Sequence, residues 1–221
     1  MADKNMDDQI VVIGLGRFGT SLAVELVTRG CEVLGIDSDP KIVQRFADDL
    51  THAAVADTTD LETLRQLGVH QFTRAVVAIG TDLEASILTT SLLSDLHIPH
   101  IWAKATSREH GRILERVGAH HVVLPEHEMG ERVAHLVTGR MLDYIELEDD
   151  FALAKIPTPK EAVDIPLGQS QLRSKYGVTV VAIKRPGEQF TYATADTVAS
   201  RHDLLVIAGA RDKVERFAEL S

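Results

Sequence analysis

The 221-residue chain is 44% hydrophobic and 25% charged, the balance of an ordinary globular protein, and it is long enough for one large core or two modest ones. A net charge of −10 without a basic stripe argues against nucleic-acid binding and against direct attachment to anionic lipid. No apolar run approaches the ~20 residues of a membrane span. The acidic, polar start reads as neither a signal nor a transit peptide, so a cytoplasmic protein is expected. The single cysteine, Cys31, excludes an intrachain disulfide and a cysteine-based zinc finger, and it reads as a small buried hydrophobe.

In the first two-thirds of the chain, short β-branched runs at 10–14, 32–37, 53–57, 75–80, 100–105 and 121–124 alternate with amphipathic stretches at 20–29, 40–49, 59–67, 83–96 and 109–117. Continuous apolar strands separated by helices predict a parallel sheet covered on both faces. Right-handed crossovers then make it a Rossmann-type doubly wound α/β domain. The stretch 83–96 is small and aliphatic around most of its circumference, more than one sheet face needs, which predicts packing against further subunits. A longer helix from about 129 to 142 leads into the acidic patch 146–150, read as a link. Beyond it, 151–157, 178–184, 190–195 and 204–209 read as strands, 170–176 and 212–220 as helices, and Arg185-Pro186-Gly187 as a turn. The expected domains are therefore 1–145, which binds nucleotide, and 146–221, a small α+β unit.

The strongest local signal is Gly14-Leu15-Gly16-Arg17-Phe18-Gly19, following a strand and opening a helix. Gly14 permits the tight turn, Gly16 lets backbone approach phosphates, and Gly19 lets helix and strand pack closely. Helix N–H groups then bind the anion. Asp37, at the end of the next strand, stands where a carboxylate accepts ribose hydroxyls. A pyrophosphate can be held by N–H groups alone, so Arg17 inside the loop implies more anionic charge to neutralise. Lys104 ends the fifth strand, on the carboxyl edge where ligands bind in such sheets. Asp57 and Ile79-Gly80-Thr81 also fall at strand ends, where ligand contact and plain turn chemistry read alike. The ten histidines invite a metal reading at His120, His121, His127 and Glu128, but adjacent strand residues point to opposite faces, which disfavours zinc.

Together with Val76-Val77-Ala78-Ile79-Gly80, Ala85-Ser86-Ile87-Leu88-Thr89, Val117-Gly118-Ala119, Pro125-Glu126, Leu142-Asp143-Tyr144, Lys175-Tyr176-Gly177 and Asp203-Leu204-Leu205-Val206-Ile207, these motifs resemble the RCK (regulator of K⁺ conductance, or KTN) family, in particular the cytosolic subunits of Ktr potassium uptake systems. The resemblance implies a Rossmann-type N-domain and a small C-domain, with dimers assembling into an octameric ring. That ring would dock on the cytoplasmic face of a membrane-embedded potassium-translocating subunit. It implies regulation by ATP and ADP, with NAD(H) in the same site. Gly16, Arg17, Phe18 and Gly19 would hold phosphates and Asp37 the ribose. Asp57, Thr58, Ile79, Gly80 and Thr81 would surround the adenosine, and Lys104, Ala105, His110 and Glu126 would complete the phosphate end. The same resemblance points to Glu126 for a divalent ion, Mg²⁺ or Ca²⁺, bridging a dimer. A carboxylate beside polyphosphate needs such a cation. Related C-domains bind cyclic di-AMP through an arginine at the place of Arg173, although Thr179 replaces a common asparagine and no proline precedes Ala195.

The rivals are weaker. An NAD-dependent oxidoreductase needs an acid or base facing the nicotinamide and usually a larger substrate domain. A Rossmann-type redox-sensing repressor needs a winged helix and a basic surface. A nucleotide-binding scaffold without a channel partner is separated from a gating subunit only by co-purification.

Overall fold

The computed structural model describes residues 9–137, 140–147 and 150–220, and the chain divides into two compact units, Met1–Glu126 and His127–Ser221. In the first unit β1 (Gln9–Ile13), β2 (Glu32–Asp37), β3 (His52–Val55), β4 (Arg74–Val77), β5 (His100–Lys104) and β6 (His121–Val123) form one parallel sheet in the order β3-β2-β1-β4-β5-β6. Helices α1 (Arg17–Thr28), α2 (Pro40–Phe46), α3 (Leu61–Gln66), α4 (Leu83–Asp95) and α5 (Arg108–Arg116) provide the crossovers. Their starts are written locally. Asp39, Asp60, Asp82 and Ser107 each accept a hydrogen bond from a first-turn backbone N–H, and Pro40 opens α2.

Alternate residues of the strands bury into two clusters. One gathers Ile13, Ile36, Leu64, Leu93, Ile101 and Leu114; the other gathers Val12, Leu15, Ala23, Val33 and Val43. Each fully buried aliphatic chain contributes about 1.5–3 kcal/mol. Cys31 is half-buried at the margin of the second cluster rather than inside it, because it precedes β2. Strand order reverses direction at β1 and β4, and the crevice outside their carboxyl ends is where this fold places its ligands.

In the second unit β7 (Asp143–Leu147), β8 (Phe151–Pro157), β9 (Val178–Lys184), β10 (Thr191–Tyr192) and β11 (Leu204–Ala210) pair antiparallel in the order β10-β9-β11-β8-β7. Short α7 (Leu172–Tyr176) and α8 (Arg211–Ala218) complete it, over a core that includes Tyr144, Ile156, Leu205, Ile207 and Phe217. Helix α6 (Pro125–Val137) starts at the proline, four residues ahead of the expected start, because proline suits the first helical turn. The acidic link is in part strand: Glu146 and Leu147 pair with Ala152 and Phe151, while residues 148 and 149 lie outside the described residues. A boundary at 145/146 would cut β7, and the structure divides after Glu126 instead. The strand expected over 190–195 is only Thr191–Tyr192, since Tyr192 is almost fully exposed on a sheet edge.

Candidate functional site

A cleft of about 500 Å³ opens at the carboxyl edge of the parallel sheet. Sheet order arranges its charged residues in a row. Asp57 follows β3, Asp37 ends β2, the Gly14–Gly19 turn follows β1, Gly80 follows β4, Lys104 ends β5 and Glu126 follows β6. Asp37 and Asp57 thus stand on the β2–β3 side, Arg17 in the middle after β1, and Lys104 with Glu126 on the β5–β6 side. That is the polarity of a nucleotide, ribose at one end and phosphate at the other.

The loop is held by its own backbone. Gly14 has φ +92°, a left-handed conformation that side chains resist, and its N–H donates to the Ile36 carbonyl at 2.7 Å. A Cβ on Gly19 would collide with the Gly14 carbonyl oxygen, whereas one on Gly16 would meet nothing within 4 Å. Gly16 therefore leaves open space in front of α1, and Arg17 and Phe18 follow as its first residues. Asp37 fixes the loop from outside: Oδ2 accepts the Leu15 N–H at 2.7 Å and Oδ1 the Asp39 N–H at 2.9 Å. Each carboxylate oxygen keeps further lone-pair capacity for a ribose hydroxyl.

On the opposite side Lys104 is nearly buried, with 11% of its side chain exposed, and Nζ donates to Glu126 Oε1 at 2.6 Å. The ammonium lies 5.6 Å from the centre of the Phe18 ring, and a Cβ on Gly80 would sit 3.3 Å from it. Glu126 is itself 70% exposed, and its carboxyl is held below the usual range, first by the Lys104 hydrogen bond and also by the charge of Arg17.

The adenosine end is quieter. Asp57 Oδ1 accepts both the N–H and the hydroxyl of Thr59, at 2.9 and 2.7 Å, which lowers its pKa. Thr58 is buried and turns its hydroxyl to Thr89 on α4, 2.9 Å away, so its part in the cleft wall is shaping. Ile79, Gly80 and Thr81 line the cleft as expected in place, and so do Ser38, Thr59, Asp82 and Thr106, which the sequence reading left out. Asp82 was legible as a helix cap, its Oδ1 accepting the Ala85 N–H at 2.9 Å.

Three expected residues do not line the cleft. Gly19 acts through packing, and Ala105 is core. His110 is 3% exposed, and its Nδ1 faces the Thr106 N–H at 3.3 Å. Neither histidine of the adjacent pair faces the cleft: His120 Nδ1 accepts the Ile101 N–H, and His121 stacks on Trp102 at 4.1 Å. In the second unit Arg173 is exposed, and its Nε donates to Thr179 Oγ1 at 3.1 Å. No histidine, cysteine or tyrosine lines the cleft among the described residues.

Residues 10–125 match the TrkA-N domain family and residues 151–221 the TrkA-C domain family. The chain is 38% identical to "Ktr system potassium uptake protein C" of Bacillus subtilis over 96% of each protein. Among solved structures it is similar to that of the GsuK RCK domain, at TM-score 0.66 and 19% identity over 100% of this chain and 48% of that one, so it spans about half of that chain's length. It is also similar to GsuK bound to ADP, at TM-score 0.52 and 26% identity over 62% of this chain and 35% of that one. The chain belongs to the family of the Ktr-system potassium uptake proteins, a TrkA-N domain followed by a TrkA-C domain.

Proposed function

We propose that the chain is the nucleotide-binding gating subunit of a membrane potassium transporter, and that it responds to ATP and ADP, with NAD(H) as a further ligand, without catalysing a reaction. One observation carries the reading: the glycine turn and Arg17 stand at the centre of the cleft, between Asp37 and Asp57 on the β2–β3 side and the nearly buried Lys104 on the β5 side. A glycine turn ahead of a helix, with a carboxylate on one side and cations facing the loop, supports an adenine nucleotide as the ligand. Kinship with a Ktr protein over 96% of the chain supports a potassium-translocating membrane partner. No described helix is long and apolar enough to cross a membrane, so the chain would reach the cytoplasmic face through that partner.

Within this reading Gly14, Gly16, Arg17, Phe18 and Lys104 hold phosphates, Asp37 the ribose, and Asp57, Thr58, Ile79, Gly80 and Thr81 the adenosine. Glu126 supplies a hard oxygen ligand for Mg²⁺ or Ca²⁺ shared between the subunits of a dimer. Its exposure leaves it accessible to a partner. Dimers assemble further, into an octameric ring. A cyclic di-AMP site at Arg173 would have to exchange the Thr179 contact for phosphate. Reconstituting the chain with a Ktr-type membrane subunit in proteoliposomes tests the proposal. Potassium flux should differ between ATP and ADP, and flux indifferent to nucleotide would refute it.

A further inference from the structure

A second concavity of about 660 Å³ lies against the phosphate loop, between α1 and α2. It shares Gly16, Arg17 and Ile42 with the nucleotide cleft, while Lys41, Arg45, Ser21 and Phe46 are its own. Three of its walls are cationic and no carboxylate lines it. The chain as a whole has 33 acidic residues against 23 basic ones, so three cations facing one hollow depart sharply from its average surface. Among the described residues none of the three is in an ion pair, whereas Arg29, Arg65 and Arg216 each find a carboxylate within one helical turn. Asp39, the nearby acid, caps α2 by accepting the Lys41 N–H at 2.9 Å and does not reach the hollow. Lys41 and Arg45 are one turn apart on α2, so they present their charges on the same face. The Arg45 guanidinium lies 5.3 Å from the Phe46 ring, which gives it a stacking surface. Like charges gathered on one hollow with no carboxylate in its lining repel one another, and a multiply charged anion relieves that repulsion.

We propose that this hollow is a second anion site, outside the nucleotide cleft, that takes a dianionic phosphate group between Arg17, Lys41 and Arg45. The phosphate is either the ribose 2′-phosphate of a dinucleotide lying in the cleft or a free phosphate ion; the recognition chemistry is the same. Because Arg17 serves both spaces, occupancy of one alters the field in the other. The site goes beyond the gating role and stands without it.

Calorimetric titration of the full chain with inorganic phosphate, ADP, NADH and NADPH tests this, in the wild type and in K41Q/R45Q. Both substituted side chains are exposed, and neither lines the nucleotide cleft. The expected result is saturable binding of inorganic phosphate, or tighter binding of NADPH than NADH, weakened at least about tenfold in K41Q/R45Q. ADP affinity should stay within about twofold. Lys41→Arg, which keeps the charge, should bind like the wild type. A NADPH preference that vanishes in the double variant assigns the phosphate to the ribose. Saturable inorganic phosphate without that preference assigns it to a free ion. Wild-type protein with neither behaviour, or a double variant that binds both as well as the wild type, overturns the proposal. Failure of ADP to bind the wild type would instead count against the nucleotide reading and leave the phosphate result standing.

Discussion

Lys104 and Glu126, 22 residues apart in sequence, share a hydrogen bond of 2.6 Å at the β5–β6 end of the cleft, with the lysine nearly buried and the glutamate largely exposed. The pair sets Glu126 up as a carboxylate that stays ionised in mild acid. Its folded pKa is lowered, so any stability it contributes is present above the ordinary carboxylate value of about 4.3 and is lost as pH falls through the lower folded value. At this exposure solvent screening keeps that contribution small. Glu126→Gln should therefore barely change the melting temperature at pH 7, while removing the divalent-ion dependence of ATP-stimulated transport. A clear loss of thermal stability with unchanged ion dependence would reduce Glu126 to a helix-terminus acid.

Arg17→Ala should weaken ATP more than ADP or NADH, by about 1.5–3 kcal/mol for a lost charge-assisted contact. Parallel titrations read this directly. Equal weakening of all three ligands would place Arg17 on the shared diphosphate.

Gly16 and Gly19 should separate ligand binding from folding. Gly16 has φ −66°, which alanine adopts freely, and its Cβ would meet open space. Gly16 also caps α1, where alanine is the poorer residue, and this offsets the gain from lost freedom of the unfolded chain; Gly16→Ala should therefore shift stability by no more than about 1 kcal/mol while weakening nucleotide binding. Gly19→Ala forces its Cβ onto the Gly14 carbonyl and should lower the melting temperature even without nucleotide. Chemical denaturation and ADP titration of both variants check the contrast.

His110 predicts an acid-side loss of stability. Burial pushes its pKa down, and among the described residues its Nε2 is buried without a hydrogen-bond partner. A group whose folded pKa is depressed supports stability above its unfolded value, about 6.5, and loses that support as pH falls toward the folded value. His110→Leu should flatten the dependence of unfolding free energy on pH as pH falls below about 6.5. An unchanged slope would mean that other groups carry it.

Helix α4 leaves Leu83 and Leu88 nearly half exposed, at 48% and 43%. Leu88→Asp should shift light-scattering mass toward smaller species, with the melting temperature of the first unit little changed. A wild-type monomer at micromolar concentration would contradict the assembly.

The parallel sheet was legible because its strands carry short apolar runs and four of its five helices begin on Asp or Ser caps, both local signals. The loop glycines and Asp37 were legible for the same reason: their roles follow from spacing within one strand–turn–helix unit. What escaped depends on pairing across the chain. Strand β7 reads as an acidic link because Ile145 and Leu147 face outward, at 52% and 48% exposure, beside Asp143 and Glu146; only its ladder with β8 reveals it. The Lys104–Glu126 bond likewise needs β5 and β6 as neighbours. His110 was placed by resemblance alone, and its backbone position says nothing of the burial that keeps it from the cleft.

The two glycines also bear on descent. Gly19 is required by the packing of helix on loop, so a lineage that abandoned its nucleotide would still be compelled to retain it, and a glycine there testifies only to ancestry of the fold. Gly16 has a weaker structural warrant: it caps α1, a place serine fills as well, and its backbone angles and the empty space beside it would admit that serine at once. If Gly16 serves a ligand, drift there beneath an intact Gly19 would mark a descendant that has fallen silent to nucleotide.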